Sequence, residues 1–169
     1  MTTSQRNLPL TVQIRMPLLD VAAVRGALGV DEDDVLLLIE DRVLPWAFNI
    51  AVKCGVQKMG EWSERTLRRE IRVLSKCVTQ YQSIGGYKAA KRIEWPEALR
   101  LILPNDKPFL LGTELEQAFI CSNELVIDLV KSRQLDLMPG TDYRRGRGGS
   151  PVITRASVER FLKARRINE

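Results

Sequence analysis

The residues best suited to chemistry in this sequence are arginines that lie close to glycines. Residues 140–166 include eight Arg or Lys residues and two acidic residues. Three of these arginines, Arg144, Arg145 and Arg147, lie in or beside the run Gly146-Arg147-Gly148-Gly149. Guanidinium groups bind phosphates and enter narrow grooves of duplex DNA, and glycines allow a backbone to come close to such a groove. The segment therefore predicts contact with an anionic polymer; a solvated loop without a partner is the alternative.

A second group of basic residues lies in the first half of the chain. Its members are Arg65, Arg68, Arg69 and Arg72. The periodicity of segment 65–74 fits both a strand and a short helix. These arginines would form a basic patch similar to that of residues 144–147, but their spacing is also that of an ordinary exposed face.

The sequence lacks the residue patterns of common catalytic and metal sites. Histidine is absent, which removes His-based acid–base catalysis and most zinc chemistry. Cys54, Cys77 and Cys121 are far apart and have no metal-ligand spacing; we interpret Cys77 and Cys121 as buried, reduced thiols. No phosphate-binding Gly-x-x-x-x-Gly-Lys-Ser/Thr motif and no Cys-x-x-Cys motif occurs. We therefore predict that the protein is not an enzyme and uses neither a metal nor a cofactor.

Size and composition indicate a globular protein with a mild basic bias. The chain has 169 residues, 44% of them hydrophobic, with a formal net charge of +5 and a pI near 9.3. This length exceeds the roughly 50–80 residues of one small DNA-binding module, so either two small domains or one domain with an extension is expected. The polar start of the sequence has no signal-peptide pattern, and no apolar run approaches the ~18 residues of a membrane span. We expect a cytoplasmic, nucleoid-associated protein without membrane contact.

Residues 111–162 have the pattern of two helices joined by a short turn, followed by a basic loop, a strand and a closing helix. Thr113 is predicted to cap the first helix, with Glu116 completing a capping box, and Ser122 to cap the second. Residues 151–154 are predicted to form a strand, and Thr154 to cap the closing helix. The residues expected to face inward are Leu115, Ala118, Phe119, Leu125, Val126, Leu129, Val130, Val158, Phe161 and Leu162. Those expected to face outward on the second helix are Asn123, Glu124, Ile127, Asp128 and Lys131.

This order of elements and several of its residues resemble the excisionase and MerR-like winged-helix family of DNA-binding proteins. The family pattern has a serine in the turn, here Ser122, and a recognition helix that ends Leu-x-x-Ser-x-x-Leu, here residues 129–135. After the wing it has Arg-x-x-Val/Leu-x-x-Phe-Leu, here residues 155–162. The sequence departs from the family at Glu116, where a small residue is common, and at Ile120, where glycine is common. The resemblance implies a helix-turn-helix whose recognition helix and wing bind DNA.

An earlier segment repeats this pattern without a gap through the two helices. Asp31 aligns with Ser122, Ile39 with Val130, Asp41 with Ser132 and Leu44 with Leu135; further on, Val78 aligns with Val158 and Tyr81 with Phe161. Asp20 and Asp31 are predicted to cap the first copy's helices, with Val21, Val24, Ala27, Leu28, Val35, Leu38 and Ile39 facing inward. The first copy has the longer wing region, which includes a predicted strand within residues 46–52.

The predicted fold class is therefore mainly α with small β wings (α+β), arranged as two tandem winged helix-turn-helix modules. An N-terminal arm covers residues 1–17 and the first module, with its enlarged wing, residues 18–83. A connector with a short apolar helix from Pro96 to Leu103 covers residues 84–110, and the second module covers residues 111–169.

The two predicted recognition helices differ in charge. Residues 31–41 include six carboxylates and no Lys or Arg, so this acidic helix would repel DNA phosphates. The second helix is mixed, and Asn123 is suited to reading adenine. The residues predicted to contact double-stranded DNA are Ser122, Asn123, Ile127, Lys131, Arg133, Arg144, Arg145, Arg147, Arg155, Arg65, Arg68, Arg69 and Arg72.

The sequence thus predicts a DNA-binding protein, either an excisionase-like architectural factor of a mobile element or phage, or a transcriptional regulator. The acidic helix 31–41 could recruit a recombinase, a polymerase or a second copy of the chain. One alternative is a protein-interaction adaptor whose winged helices no longer bind DNA. Another is a packaging or replication-initiation subunit that oligomerises on DNA.

Overall fold

Five short strands and seven helices make up the regular structure of the part of the chain that the structure describes. The computed structural model describes residues 16–52, 70–84, 92–141 and 150–167. The strands are β1 (Leu18–Asp20), β2 (Ala47–Asn49), β3 (Ile71–Leu74), β4 (Phe109–Leu111) and β5 (Val152–Thr154). The helices are α1 (Val21–Leu28), α2 (Glu32–Glu40), α3 (Ser75–Ile84), α4 (Trp95–Ile102), α5 (Gly112–Phe119), α6 (Asn123–Lys131) and α7 (Arg155–Arg165). The predicted α+β class is confirmed.

Four helices begin where a short polar side chain can accept a hydrogen bond from the first turn. The Asp20 carboxylate accepts from the Ala23 amide at 2.7 Å, and the Asp31 carboxylate accepts from the Asp34 amide at 2.9 Å. In the same way the Ser122 hydroxyl caps α6 at 3.3 Å, and the Thr154 hydroxyl caps α7 at 3.4 Å. These four of the five predicted caps are confirmed.

The start of α5 was predicted wrongly. The helix begins at Gly112, directly after β4, so Thr113 is already inside its first turn. The carboxylate that reaches back belongs to Glu114, not Glu116, and accepts a hydrogen bond from the Leu111 amide at 2.9 Å. Pairing of β4 with β5 extends to Leu111, and this tertiary constraint places the helix start earlier than the side-chain pattern indicated.

The same order of elements occurs twice: strand, helix, turn, helix, and later a strand followed by a helix. Strand β1 pairs antiparallel with β3, with Leu18 opposite Leu74. Strand β4 pairs antiparallel with β5, with Phe109 opposite Thr154. The first copy has a three-stranded sheet in the order β1-β3-β2 and the second a two-stranded sheet. In the second copy Leu137 forms an isolated antiparallel bridge to Ile153.

Backbone geometry repeats at the ends of the paired helices. Gly29 after α1 and Ile120 after α5 both adopt the left-handed conformation, with φ of 69° and 51°. Arg42 after α2 and Arg133 after α6 do the same, with φ of 59° and 61°. Each arginine amide donates to a carbonyl three residues earlier, at 3.1 Å and 3.0 Å respectively. The gapless alignment predicted between the two copies is therefore matched at the level of single hydrogen bonds.

The described residues group into two compact units. The first contains residues 16–48, 71–84, 92–105 and 166–167, and the second contains residues 49–52, 70, 106–141 and 150–165. The segment predicted as a connector, 84–110, thus has its helix α4 in the first unit. Among the described residues, no helix combines the length and the apolar character that crossing a membrane requires.

The first unit has a core of aliphatic side chains and an aromatic cluster around Trp46. Its indole N–H donates to the Ile93 carbonyl at 2.9 Å, and its ring lies 5.8 Å from that of Trp95. The guanidinium of Arg166 lies 3.6 Å from the centre of the Trp46 ring and donates to the Pro45 carbonyl at 3.2 Å. The buried aliphatic residues include Leu18, Val24, Val35, Leu38, Ile39, Leu44, Val73, Leu74, Val78 and Ile102.

The second unit is built on the inward faces of α5, α6 and α7. The rings of Phe119 and Phe161 are stacked, with centres 6.1 Å apart. Of the residues predicted to face inward in this unit, Ala118 and Leu125 are only half-buried, as is Ile127 of the predicted outward set. The same holds for Val21, Ala27 and Leu28, which were predicted to face inward in the first unit. Other buried side chains are Leu110, Leu115, Val126, Leu129, Val130, Leu135, Ile153, Val158 and Leu162.

Candidate nucleic-acid interface

The pair α5–α6 is the element that most clearly presents a row of side chains for binding. Residues 120–122 connect the two helices, and the left-handed Ile120 ends α5. Leu115 and Phe119 of α5, together with Val126 and Leu129 of α6, are buried. Burial on this side leaves the opposite side of α6 for solvent or a ligand.

The outward side of α6 has mixed polar chemistry. Ser122, Asn123 and Lys131 are exposed, and Ile127 adds a half-buried apolar side chain between them. The Ser122 oxygen already accepts from the Leu125 amide, which leaves its O–H to donate. Glu124 and Asp128 are exposed on the same helix, so α6 alone does not produce a positive field. Any attraction for phosphates must come from residues that flank it.

Arg133 is the flanking cation with the clearest geometry. It lies two residues after α6, is exposed, and has a φ of 61°. A side chain other than glycine in this conformation costs about 1–2 kcal/mol. Its guanidinium forms no ion pair with any residue that the structure describes. Arg133 therefore offers an unneutralised charge beside the end of α6.

The residues before and after the segment that contains Arg144, Arg145 and Arg147 are joined by backbone hydrogen bonds. The Met138 amide donates to the Val152 carbonyl at 2.8 Å, and the Thr154 amide donates to the Asp136 carbonyl at 3.0 Å. The three arginines themselves lie at 142–149, outside the described residues. Their predicted contact with DNA stays a prediction.

Two of the predicted DNA-contacting arginines are held inside the protein. Arg72 was expected on an exposed basic patch, but it is 7% exposed because it lies in β3, the middle strand of its sheet. Its guanidinium donates to the Ile71 carbonyl at 3.0 Å. Arg155 at the start of α7 has a side chain that is 14% exposed and donates to Glu159 at 2.9 Å. Arg65, Arg68 and Arg69 lie outside the described residues.

Further basic residues of α7 are also engaged within the second unit. Arg160 forms an ion pair with Asp136 at 2.8 Å. Arg165 is buried; it donates to the Gln134 side chain and lies 5.1 Å from the centre of the Phe161 ring. Burial lowers the pKa of Arg165 from its ordinary value. Arginines at the end of a helix are usually solvated, and the sequence offered no signal that this one is buried.

Helix α2, the counterpart of α6 in the first unit, presents a different surface. Its side chains Glu32, Asp33, Glu40 and Asp41 are exposed, and Leu37 between them is 54% exposed. The sequence gives a signal for this leucine. Residues 35–39 are five consecutive apolar residues, and a helix can turn only some of them inward.

The acidic and cysteine side chains of the described residues do not come together as a metal site. The described residues contain no cluster of three or more His, Cys, Asp or Glu residues able to hold a metal ion. Burial raises the pKa of the Cys77 thiol to about 11, against smaller opposing effects of the Trp46 backbone, Arg166 and Lys76. Cys77 is thus a neutral, buried thiol, as predicted; Cys121 is only half-buried.

Comparisons with protein-family models, with curated proteins and with solved structures gave no match to this chain.

Proposed function

We propose that the protein binds double-stranded DNA through its second unit, with α6 in a major groove and the 144–147 segment in the adjacent minor groove. The observation that carries this proposal is the α5–turn–α6 arrangement, whose outward side is polar and whose neighbouring segments are basic. Helix-turn-helix proteins place the second helix of such a pair in the major groove. Asn123 is then the residue best suited to a base edge, and Ser122 and Arg133 are suited to phosphates.

The hydrogen-bonded backbone on either side of residues 142–149 supports the role of this segment as a wing. A glycine- and arginine-rich loop between two paired stretches can reach a neighbouring groove while its base stays fixed. In this proposal the first and second units are two winged helix-turn-helix modules. The acidic α2 does not enter DNA, so the first module contributes mainly through Arg65, Arg68 and Arg69.

Two biological roles fit such a protein, and the sequence resemblance supports both. One is an excisionase-like architectural factor that bends DNA for a recombinase, and the other is a transcriptional regulator of a mobile element or phage. Two observations would separate these roles. A bend in the bound duplex favours the architectural factor, and repression from a single promoter site favours the transcriptional regulator.

The experiment that tests DNA binding is a fluorescence-anisotropy titration of the full chain on random duplex DNA across a salt series. Binding through phosphates gives an affinity that falls linearly on a log–log plot against salt concentration. Replacing Arg144, Arg145 and Arg147 together by alanine should flatten that slope by roughly 2–3 units, because each phosphate contact contributes about 0.9.

The matched control is the triple variant R25A/R100A/K163A, which removes the same number of positive charges from exposed helix positions outside the proposed interface. We expect its slope to change by less than that of R144A/R145A/R147A. An unchanged slope in R144A/R145A/R147A would refute the wing contact. Absence of binding at low salt would refute the whole proposal and favour an adaptor that binds only proteins.

A further inference from the structure

The exposed side of α2 has a chemistry that the stability of its own unit does not explain. We call Glu32, Asp33, Leu37, Glu40 and Asp41 the α2 face. Leu37 is 54% exposed, more than any other large hydrophobic side chain among the described residues. At the equivalent position of the second copy the chain has a polar residue instead. An exposed leucine on a helix that already buries its inward side adds nothing to the core.

The acidic residues at the two ends of α2 have different physical consequences. Asp31 caps the helix, and acidic residues in the first turn interact favourably with the positive end of the helix dipole. Glu40 and Asp41 lie at the opposite end, where the helix has no basic residue in its last turn. Negative charge at this end is unfavourable, so these two carboxylates are not present for the stability of the helix.

The negative charge of the α2 face is not neutralised within the described part of the protein. Glu32, Asp33, Glu40 and Asp41 form no ion pair with any residue that the structure describes. The face therefore repels phosphates and attracts lysine and arginine side chains.

The spacing of the α2 face specifies what can bind it. Asp33 lies one turn before Leu37, and Glu40 and Asp41 lie one turn after it, so carboxylates flank the leucine on both sides of the same stripe. A complementary segment needs one apolar side chain against Leu37 and cations about one helical turn, roughly 5–6 Å, to either side.

We propose that the α2 face is a docking surface for a basic, amphipathic segment of a partner protein, with Leu37 as the apolar anchor point. Charge complementarity selects a cationic partner over DNA, and the exposed leucine selects one with an apolar residue between its cations. This function is separate from DNA binding by the second unit, and either can fail without the other.

The proposal can be tested with two fluorescein-labelled helical peptides of equal length and charge. Both have lysines four residues before and four residues after the central position, which is leucine in one peptide and serine in the other. Anisotropy titrations with the full chain should show the leucine peptide binding about tenfold or more tightly, as expected for burial of a leucine side chain. Leu37→Ser should remove that difference between the peptides.

Charge variants identify the surface that is responsible. The double variant E40K/D41K should weaken binding of both peptides several-fold, and E124K/D128K, the same charge change on α6, should leave it unchanged. E40K/D41K should also keep or raise the Tm, because it places cations at the C-terminal end of a helix. A residue pair with a merely structural role would lower the Tm instead.

Three results would overturn the proposal. The two peptides could bind with equal affinity, the two charge variants could weaken binding equally, or neither peptide could bind at moderate salt. The first two results would mean that only overall charge is recognised.

Discussion

Replacing Arg133 by glycine should weaken DNA binding without destabilising the protein. The left-handed backbone at this position, with a φ of 61°, costs an arginine about 1–2 kcal/mol that a glycine does not lose. Glycine in turn has greater freedom in the unfolded chain, which costs about 0.5–1 kcal/mol. Loss of a cation from the end of α6 costs a further ~0.3 kcal/mol or more. The sum is a free energy of unfolding that is unchanged or higher by up to about 1 kcal/mol.

The effect on DNA binding should have the opposite sign. If the Arg133 guanidinium contacts a phosphate, its removal should lower the slope of log affinity against log salt by about 0.9. Urea unfolding followed by circular dichroism gives the stability, and the anisotropy titration gives the slope. A higher free energy of unfolding together with a lower affinity for DNA is a combination that substitution of a purely structural residue rarely produces.

The chain offers its own matched control for this variant. Arg42 has the same conformation, with a φ of 59°, but it follows the acidic α2. Arg42→Gly should therefore alter stability as Arg133→Gly does and leave the salt slope unchanged. If Arg133→Gly lowers stability by more than about 1 kcal/mol, the side chain has a structural role that the proposal omits. If its salt slope equals that of the unmodified protein, Arg133 does not contact DNA.

Two further predictions concern stability. Gly112→Ala should destabilise the protein by about 1–3 kcal/mol, because a Cβ there would lie 2.8 Å from the ring of Pro151. Gly26 lies in a helix, and a Cβ there would have nothing within 4 Å, so Gly26→Ala should instead stabilise the protein by about 0.5–1 kcal/mol. Equal urea midpoints for the two variants would contradict this prediction. Cys77 has its pKa raised to about 11, so the folded state holds its proton longer than the unfolded state. The protonated Cys77 thiol should therefore add on the order of 2–3 kcal/mol to the free energy of unfolding. This stabilisation should be fully present below pH 9 and lost as the pH rises through 11. In a variant with serine in place of Cys54 and Cys121, the free energy of unfolding should fall between pH 9 and pH 11. Adding Cys77→Ala to that variant should reduce the fall.

The internal repeat is the part of the fold that the sequence predicted best. The alignment of Asp31 with Ser122 follows from capping residues and apolar spacing, which are local properties of a helix. Those local rules also predict where α2 and α6 begin, directly after the capping residues Asp31 and Ser122, and the structure begins both helices there. Helix α4 was predicted one residue too late at both ends, as Pro96–Leu103 against the observed Trp95–Ile102. Its position could be predicted because proline is favourable only in the first turn of a helix.

Local rules failed where a distant segment decides the outcome. The start of α5 depends on the pairing of β4 with β5. The burial of Arg72 depends on its strand being in the middle of a sheet. The sequence around Arg72 does not show whether its strand has one neighbouring strand or two. Residue spacing alone therefore could not show that Arg72 is buried and not part of an exposed patch.

The candidate binding surfaces divide in the same way. The sequence by itself determined which residues carry the charge: the acidic stretch 31–41, the mixed α6 and the basic run at 144–147. Only the tertiary structure decided which charges are available. It pairs Arg160 with the distant Asp136, buries Arg165 and leaves Arg133 exposed. The physical reason is that charge belongs to a side chain, whereas its neutralisation or exposure depends on neighbours that folding brings from elsewhere in the chain.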